Sequence, residues 1–346
     1  MTTKILSNIS GVILTSSLEY VTAQTDREHV EVTVTRDPGG ANEKFFSTTL
    51  YAYGGRVTLH DLDALIEEHW RSLGIISQDV RVAFDESTIT FHAIHCNHVL
   101  PRGFDFRTNF WLVSSSTILH RNSAVALAHL DNGTPEYRVR VYLRSGGVVE
   151  STFSRQVDSH WVSFSVAVLL EHVLSNSDAT IEDAAYFTIY HGAAEKTFYI
   201  AEDPYFLTFR FRNLFNAPEY LDLPCKLKRK TAVDSNETLC GRRYIQYDKV
   251  INKIYEVETG PLTADQAQCV EQLVSSYNVN LIGASGDTEI IITDHSCECD
   301  NDNDSLTTMR FTFRTVDARP NFLDDEMDVP PISLRIFSNE FSAEFS

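Results

Sequence analysis

Two stretches of this chain, about 105 residues apart, run through the same succession of strand, turn and helix signals, and this repetition limits the fold more than any single motif. The first opens with strict alternation at 29–35, His-Val-Glu-Val-Thr-Val-Thr, followed by the turn residues Asp37, Pro38, Gly39 and Gly40. A second strand at 45–53 is stopped by Gly54 and Gly55. Leu59, Leu62, Leu65 and Ile66 then recur at helical spacing, with Thr58 and Asp61 reading as a capping box. Strands at 80–84 and 89–95 close the unit. The second stretch alternates at 123–130, turns at Asp131, Asn132, Gly133 and Thr134, and continues as strands at 136–143 and 148–154. A helical run at 162–172 and strands at 187–190 and 195–200 follow. An aromatic strand comes after each copy, FDFRTNF at 104–110 and FRFRNLF at 209–215. The pattern predicts Leu62, Leu65 and Ile66, and likewise Val166, Leu169 and Leu170, buried against their own sheets.

The last third has the same ingredients. Alternation at 249–259 ends at Gly260 and Pro261. Thr263 and Gln266 form a capping box, with Leu262 and Ala267 placed as its hydrophobic staple. Strands are expected at 279–282, 289–293 and 309–316, with a polar tip at 297–305. The expected organisation is a first unit at 1–115 with a helix at 58–72, a second at 116–205 with a helix at 162–174, and a third at 206–323 with a helix at 263–276. An acidic linker and aromatic tail at 324–346 carries Phe337, Phe341 and Phe345 at four-residue spacing, as a helix turn docked on the core or an arm laid on another subunit. The fold class is mainly β, in sandwich-like domains each flanked by one helix. The aromatic content, 21 Phe and 14 Tyr, suits strands, because flat and branched side chains fit a pleated surface.

Acidic residues number 48 against 29 basic, a formal charge of −19, which opposes binding to nucleic acid or to an anionic membrane. The local exception is Lys226, Lys228, Arg229 and Lys230, with Arg242 and Arg243 after them. These either dock on an acidic neighbouring subunit or form the solvent face of a strand. The six cysteines include no C-x-x-C pair, and Cys225 and Cys240 flank a hairpin that would let them pair or not. The N-terminus lacks the continuous apolar run of a secretion signal, and the most apolar segment, 161–174, is too short to span a bilayer.

Chemistry-bearing motifs are sparse. Neither a G-x-G-x-x-G nor a Walker-type loop is present, and Gly283-Ala284-Ser285-Gly286 lacks the spacing of a nucleophile elbow. In an extended strand His92, Cys96 and His98 share a face, and imidazole with thiolate suits zinc, but no fourth ligand is identifiable. The run Asp300 to Asp304 starts like a calcium loop yet has Ser305 and Phe311 where the loop needs Gly and Glu. No cofactor, no metal contribution to folding and no catalytic site are expected.

The run Phe209-Arg210-Phe211-Arg212-Asn213-Leu214-Phe215-Asn216-Ala217-Pro218-Glu219, with the Lys/Arg-rich hairpin after it, resembles tail and baseplate structural proteins of tailed phages and prophages. Tyr255 to Thr263, Ser275-Ser276, Asn278-Val279 and Arg335 to Phe341 extend that resemblance. It implies tail-tube-like or distal-tail-like β-sandwich domains in a virion tail, made in the bacterial cytoplasm. It further implies a homo-oligomeric ring bound to itself and to other tail or baseplate proteins. Lys226, Lys228, Arg229, Lys230, Phe337, Phe341 and Phe345 are the interaction residues this reading singles out. A rival reading is a carbohydrate-binding β-sandwich module using Trp111, Trp161 or Tyr186 as stacking platforms.

Overall fold

Every second side chain of one strand in each of three β-systems is buried, and this alternation sets the sheet faces. A computed structural model of the chain describes residues 3–37, 42–98, 100, 103–112, 114, 116–131, 133–157, 160–201, 206–240, 242–283, 286–298 and 307–316. The first system contains β1 (Lys4–Ile5), β2 (Val12–Leu14), β3 (Tyr20–Gln24), β4 (His29–Arg36), β5 (Glu43–Tyr51), β6 (Arg56–His60), helix α1 (Leu62–Leu73), β7 (Ser77–Phe84) and β8 (Ser87–Ile94). The second contains β9 (Ser116–Leu119), β10 (Ala124–Ala128), β11 (Glu136–Leu143), β12 (Val148–Ser154), β13 (Trp161–Ser165), helix α2 (Val166–Leu174), β14 (Ala184–His191) and β15 (Ala194–Ile200). The third contains β16 (Phe206–Arg212), β17 (Pro218–Cys240), β18 (Arg243–Thr259), helix α3 (Ala264–Ser275), β19 (Val279–Gly283), β20 (Gly286–Glu298) and β21 (Thr308–Thr315). Among the described residues, no helix is long and apolar enough to cross a membrane.

Strand order is shared to a large extent. The first main sheet runs β2-β8-β7-β4-β5 and the second β9-β15-β14-β11-β12. In each, the N-terminal strand pairs in parallel with the last one, β2 with β8 and β9 with β15. A smaller sheet joins β3 to β6 in the first system and β10 to β13 in the second, both antiparallel. The third system closes into a barrel, β16-β17-β18-β21-β20-β19. There β16 pairs β17 and β19, and β19 pairs β20, as β4 pairs β5 and β7, and β7 pairs β8. The difference lies in the strand beside the one preceding the helix. It comes from the N-terminal side in the first two systems and from the C-terminal β21 in the third.

The buried faces follow from this register. Val30, Val32 and Val34 of β4, Tyr137, Val139 and Val141 of β11, and Leu207, Phe209 and Phe211 of β16 face three separate cores. Leu62, Ile66 and Trp70 of α1 and Val166, Leu169 and Leu170 of α2 are buried, whereas Leu65 is half-buried against its core. The capping box on α3 is present, Thr263 Oγ1 accepting from Gln266 N at 3.3 Å and Gln266 Oε1 from Thr263 N at 2.9 Å.

A fourth apolar cluster joins the three systems. The turn after β16 inserts Leu214, Phe215 and Ala217 among Ile76, Ile94, Cys96, Trp111 and Ala128. Phe215 is fully buried, and its ring lies 5.9 Å from both Trp111 and Phe104. Two asparagines satisfy the backbone there. Asn213 Nδ2 donates to the carbonyl of Trp111 at 2.9 Å and to Glu219 at 3.0 Å, while its Oδ1 accepts from Phe215 N and Ala217 N. Asn216 adopts φ 57°, a left-handed conformation that asparagine tolerates, and its Nδ2 donates to the Ile75 carbonyl at 2.9 Å. That carbonyl lies just beyond α1, where Gly74 at φ 65° terminates the helix in the same left-handed region. Asp222 on β17 ties the second system to the third by accepting from His120 N, the Ser123 hydroxyl and the Thr208 hydroxyl.

Several expectations need correction. The helices start later than 58 and 162, at Leu62 and Val166, because 58–60 and 162–165 pair as strands with β3 and β10. Thr58 therefore faces Thr22 across β3 (hydroxyls 3.1 Å apart) and makes no capping box, and Asp61 makes no side-chain cap. The segment 104–110 is a turn, not a strand. Asp105 accepts from Arg107 N through its carboxylate and from Asn109 N through its carbonyl, which closes the turn and leaves Phe104 and Phe106 to pack on the junction. The 297–305 tip and the 324–346 tail fall largely or wholly outside the described residues.

Two outcomes follow for stability. Phe215→Ala should lower unfolding free energy by about 3–5 kcal/mol in denaturant titration, because a close-packed site shared by three cores cannot collapse around the void. His95 is buried, its Nδ1 donating to the Leu214 carbonyl at 3.2 Å, and burial pushes its pKa down to about 4. The unfolded chain thus binds a proton that the folded one refuses, so stability present above pH ~6.5 is lost as pH falls toward 4. For this one group the loss between pH 7 and pH 5 is on the order of 2 kcal/mol, and His95→Gln should flatten that part of the stability–pH curve.

Candidate assembly site

The barrel strands β17 and β18 are far longer than their neighbours need. β16 covers β17 only as far as Pro224, and β21 covers β18 only from Tyr255 to Glu258. Beyond those points, among the described residues, β17 and β18 pair only with each other, from Cys225↔Thr259 out to Cys240↔Arg243, with a register shift at Asn236/Glu237. At about 3.3 Å per residue, the stretch from Cys225 to Cys240 extends roughly 50 Å. Residues 228–231, 235–240 and 242–246 are all exposed. The result is a two-stranded arm whose outer edges, among the described residues, pair with no further strand.

The side chains change along the arm. Near the barrel, Leu221 and Leu223 are buried, and Cys225 and Leu227 pack against that core. Toward the tip, Leu239 and Tyr244 sit directly opposite one another and are 58% and 76% exposed, and Ile245 is 48% exposed. Arg242 and Arg243 lie at the same end. An exposed aliphatic–aromatic pair framed by two guanidiniums has the composition of an interface anchor.

The basic run lies at the base of the arm, and its charges are partly answered within the chain. Lys228 Nζ is 3.0 Å from Glu258 and 3.8 Å from Glu256. Lys230 bonds Glu256, and Arg310 on β21 is 3.6 Å from Glu256 and 3.2 Å from Glu258. The hydrogen bond from Lys230 holds the Glu256 carboxyl below its ordinary pKa, and that from Lys228 does the same for Glu258. Lys226 and Arg229 are exposed on the same strand. The cations are more than half exposed although Glu256 is buried, so the pairs are weakened by water on the cation side and screened by salt.

Cys225 and Cys240 are both free and stand on one strand with fourteen residues between them, so this hairpin does not bring them together. His92, Cys96 and His98 are likewise not assembled into a ligand set. β8 ends at Ile94, so alternation does not carry the face to Cys96 and His98. His92 Nδ1 lies 2.8 Å from Asp79, His98 Nδ1 2.6 Å from Asn97 Oδ1, and the buried Cys96 thiol, raised in pKa by that burial, donates to the His98 carbonyl. Phe337, Phe341 and Phe345, like Asp300 to Asp304, lie outside the described residues. Among the candidate platforms, Trp111 is fully buried with Nε1 donating to the Phe106 carbonyl, Trp161 is half-buried, and Tyr186 stacks on Tyr142 at 4.3 Å. The arm's length and its exposed tip were not read from the sequence. The alternation at 249–259 was the visible end of a strand that begins at Arg243.

No family model matches the chain, and no curated protein does. Among solved structures, the tail of an empty gene transfer agent particle is similar over 32% of this chain and 92% of that one, at 9% identity and a TM-score of 0.24. The virion of a native gene transfer agent particle is similar over 34% and 96%, also at 9% identity and 0.24. The calcium binding domain CBD12 of CALX1.1 is similar over 56% and 79%, at 8% identity and 0.17.

Thiol labelling checks the arm. Cys240 is exposed, whereas burial raises the Cys225 thiol to a pKa of about 12. Without reductant, Cys240 should alkylate at least about tenfold faster than Cys225, as read by peptide mass spectrometry. A Cys225–Cys240 disulfide peptide would contradict the extended arm.

Proposed function

We propose that this chain is a non-enzymatic structural subunit of a phage or prophage tail or baseplate, and that it assembles into a homo-oligomeric ring through its β17–β18 arm. The observation behind this reading is the arm itself. A two-stranded ribbon with both faces in water is marginal in isolation, and it gains order when a partner covers its apolar residues or extends its edges. A neighbouring copy of the chain, with its acidic surface, complements the Arg242–Arg243 tip. Other tail or baseplate proteins would then bind the completed ring.

The resemblance at 209–219 supports the same reading, because those residues build β16 and the junction turn from which the arm departs. The non-enzymatic part rests on the sequence, where no nucleophile–base pair and no carboxylate pair across a cleft is legible. The carbohydrate-binding alternative loses two of its three named platforms, since Trp111 is buried and one face of Tyr186 is covered by Tyr142, while Trp161 is half-buried.

Replacing residues 232–252 by a two-residue turn, which keeps the Thr231↔Lys253 pair, should leave the barrel folded and abolish ring formation in negative-stain images and light scattering. Arg242→Glu with Arg243→Glu should slow assembly strongly at low salt and little at high salt, because steering by rim charges is screened. Lys228→Glu is a poorer probe, as it also removes pairs to Glu256 and Glu258. A shortened chain that assembles like the parent, or a parent that stays monomeric with its partners present, would contradict the proposal.

A further inference from the structure

The second β-system fastens its β10–β11 loop to its β14–β15 turn with groups that the first system lacks. In the first system the topologically equivalent loop and turn are joined by Arg27 and Asp85, Nη1 to Oδ2 at 2.8 Å. A guanidinium stays charged at any physiological pH, so that link is permanent. In the second system the link is His191 to Asp131, Nε2 to Oδ2 at 2.8 Å. A second imidazole, His129, lies against His191 with ring centroids 4.4 Å apart. One ligand atom from each of His129, Asp131 and His191 lies within 4.8 Å of the other two.

The surroundings orient these groups as a ligand set. His191 Nδ1 donates to the Glu136 carbonyl at 3.1 Å, which leaves Nε2 for the cluster. His129 Nε2 meets the Tyr137 hydroxyl at 2.6 Å, which leaves Nδ1. That Nδ1 is buried and, among the described residues, has no hydrogen-bond partner, although His129 is only 3% exposed. Metal-ligating histidines are held in this way, with the far nitrogen hydrogen-bonded to a carbonyl or hydroxyl so that the near one keeps its lone pair. A cavity of about 120 Å³ opens beside the three residues, bounded also by Arg107, Asn109 and Ala194, with room for water.

We propose that His129, Asp131 and His191 bind one borderline divalent metal ion, zinc foremost, with cavity water completing its coordination. Two imidazoles and a carboxylate match zinc, cobalt or nickel, and a hard ion such as magnesium prefers an all-oxygen shell. The bound ion would sit between His191 Nε2 and the Asp131 carboxylate, which lie 2.8 Å apart without it. Bound metal would clamp loop to turn at one end of the second system, as Arg27 and Asp85 do permanently in the first. His129 and Asp131 stand two residues apart and His191 sixty further on, a spacing that no motif flags.

The test uses the full chain, stripped with chelator and desalted, with Co²⁺ as the visible-absorption probe and Zn²⁺ as competitor. One Co²⁺ per chain should bind and be displaced by Zn²⁺. Asp131→Asn and His191→Gln, at an exposed and a half-exposed position, should each weaken binding by at least about tenfold while keeping the parent's circular dichroism. Zn²⁺ should raise the thermal midpoint of the parent but of neither variant, and Mg²⁺ should raise none. The proposal is overturned if the parent binds no cobalt, or if both variants bind it as the parent does, which would place the ion on other histidines.

Discussion

The Asn213–Ala217 turn is the contact on which the architecture depends. It leaves the barrel directly after β16 and enters the space between the other two systems, where Phe215 is fully buried. Its backbone would be costly there without partners, and Asn213 and Asn216 provide them by bonding inside the turn and to carbonyls of both neighbours. The three cores are thereby joined by polar groups with fixed geometry as well as by apolar contact. Lys196 and Glu219 are buried beside the same seam, Lys196 Nζ donating to the Ser114 carbonyl and Glu219 accepting from Asn213. Burial pushes the lysine down and the glutamate up in pKa, and their mutual attraction opposes each shift.

This junction also determines what is left outside. With β16 anchored and the barrel closed around its core, β17 and β18 run on as a hairpin whose residues 228–231, 235–240 and 242–246 are exposed. Charges follow the same division. Those at the base of the arm are matched by Glu256 and Glu258, whereas the tip presents Arg242, Arg243, Leu239 and Tyr244 to solvent.

Much of the fold was legible because it depends on period. The alternation in β4 and the helical spacing in α1 and α2 predicted side chains that face inward, Leu65 excepted, and the strands around each helix were readable from turns. What failed did so where tertiary pairing outweighs local preference. Thr58 and Phe164 have helix-compatible surroundings, yet pairing with β3 and β10 satisfies more backbone groups than another helical turn would. FDFRTNF at 104–110 carries a strand's composition, but Asp105 closes it into a turn. The candidate sites fared worse, since both depend on distance across the fold. His92, Cys96 and His98 are close in sequence but have separate local partners, whereas His129, Asp131 and His191 meet because two loops end at the same edge. The basic run could be seen in the sequence, but not the glutamates that face it from β18.

The arm as an assembly element is the central claim, and amide hydrogen exchange across 229–252 tests it most directly. In the free chain those amides should exchange far faster than the barrel amides of β16 and β19, because a solvated ribbon opens locally. On assembly they should slow by at least about tenfold while the barrel amides stay unchanged. Equal protection of arm and barrel in the free chain, or an arm whose exchange does not change on assembly, would contradict the account.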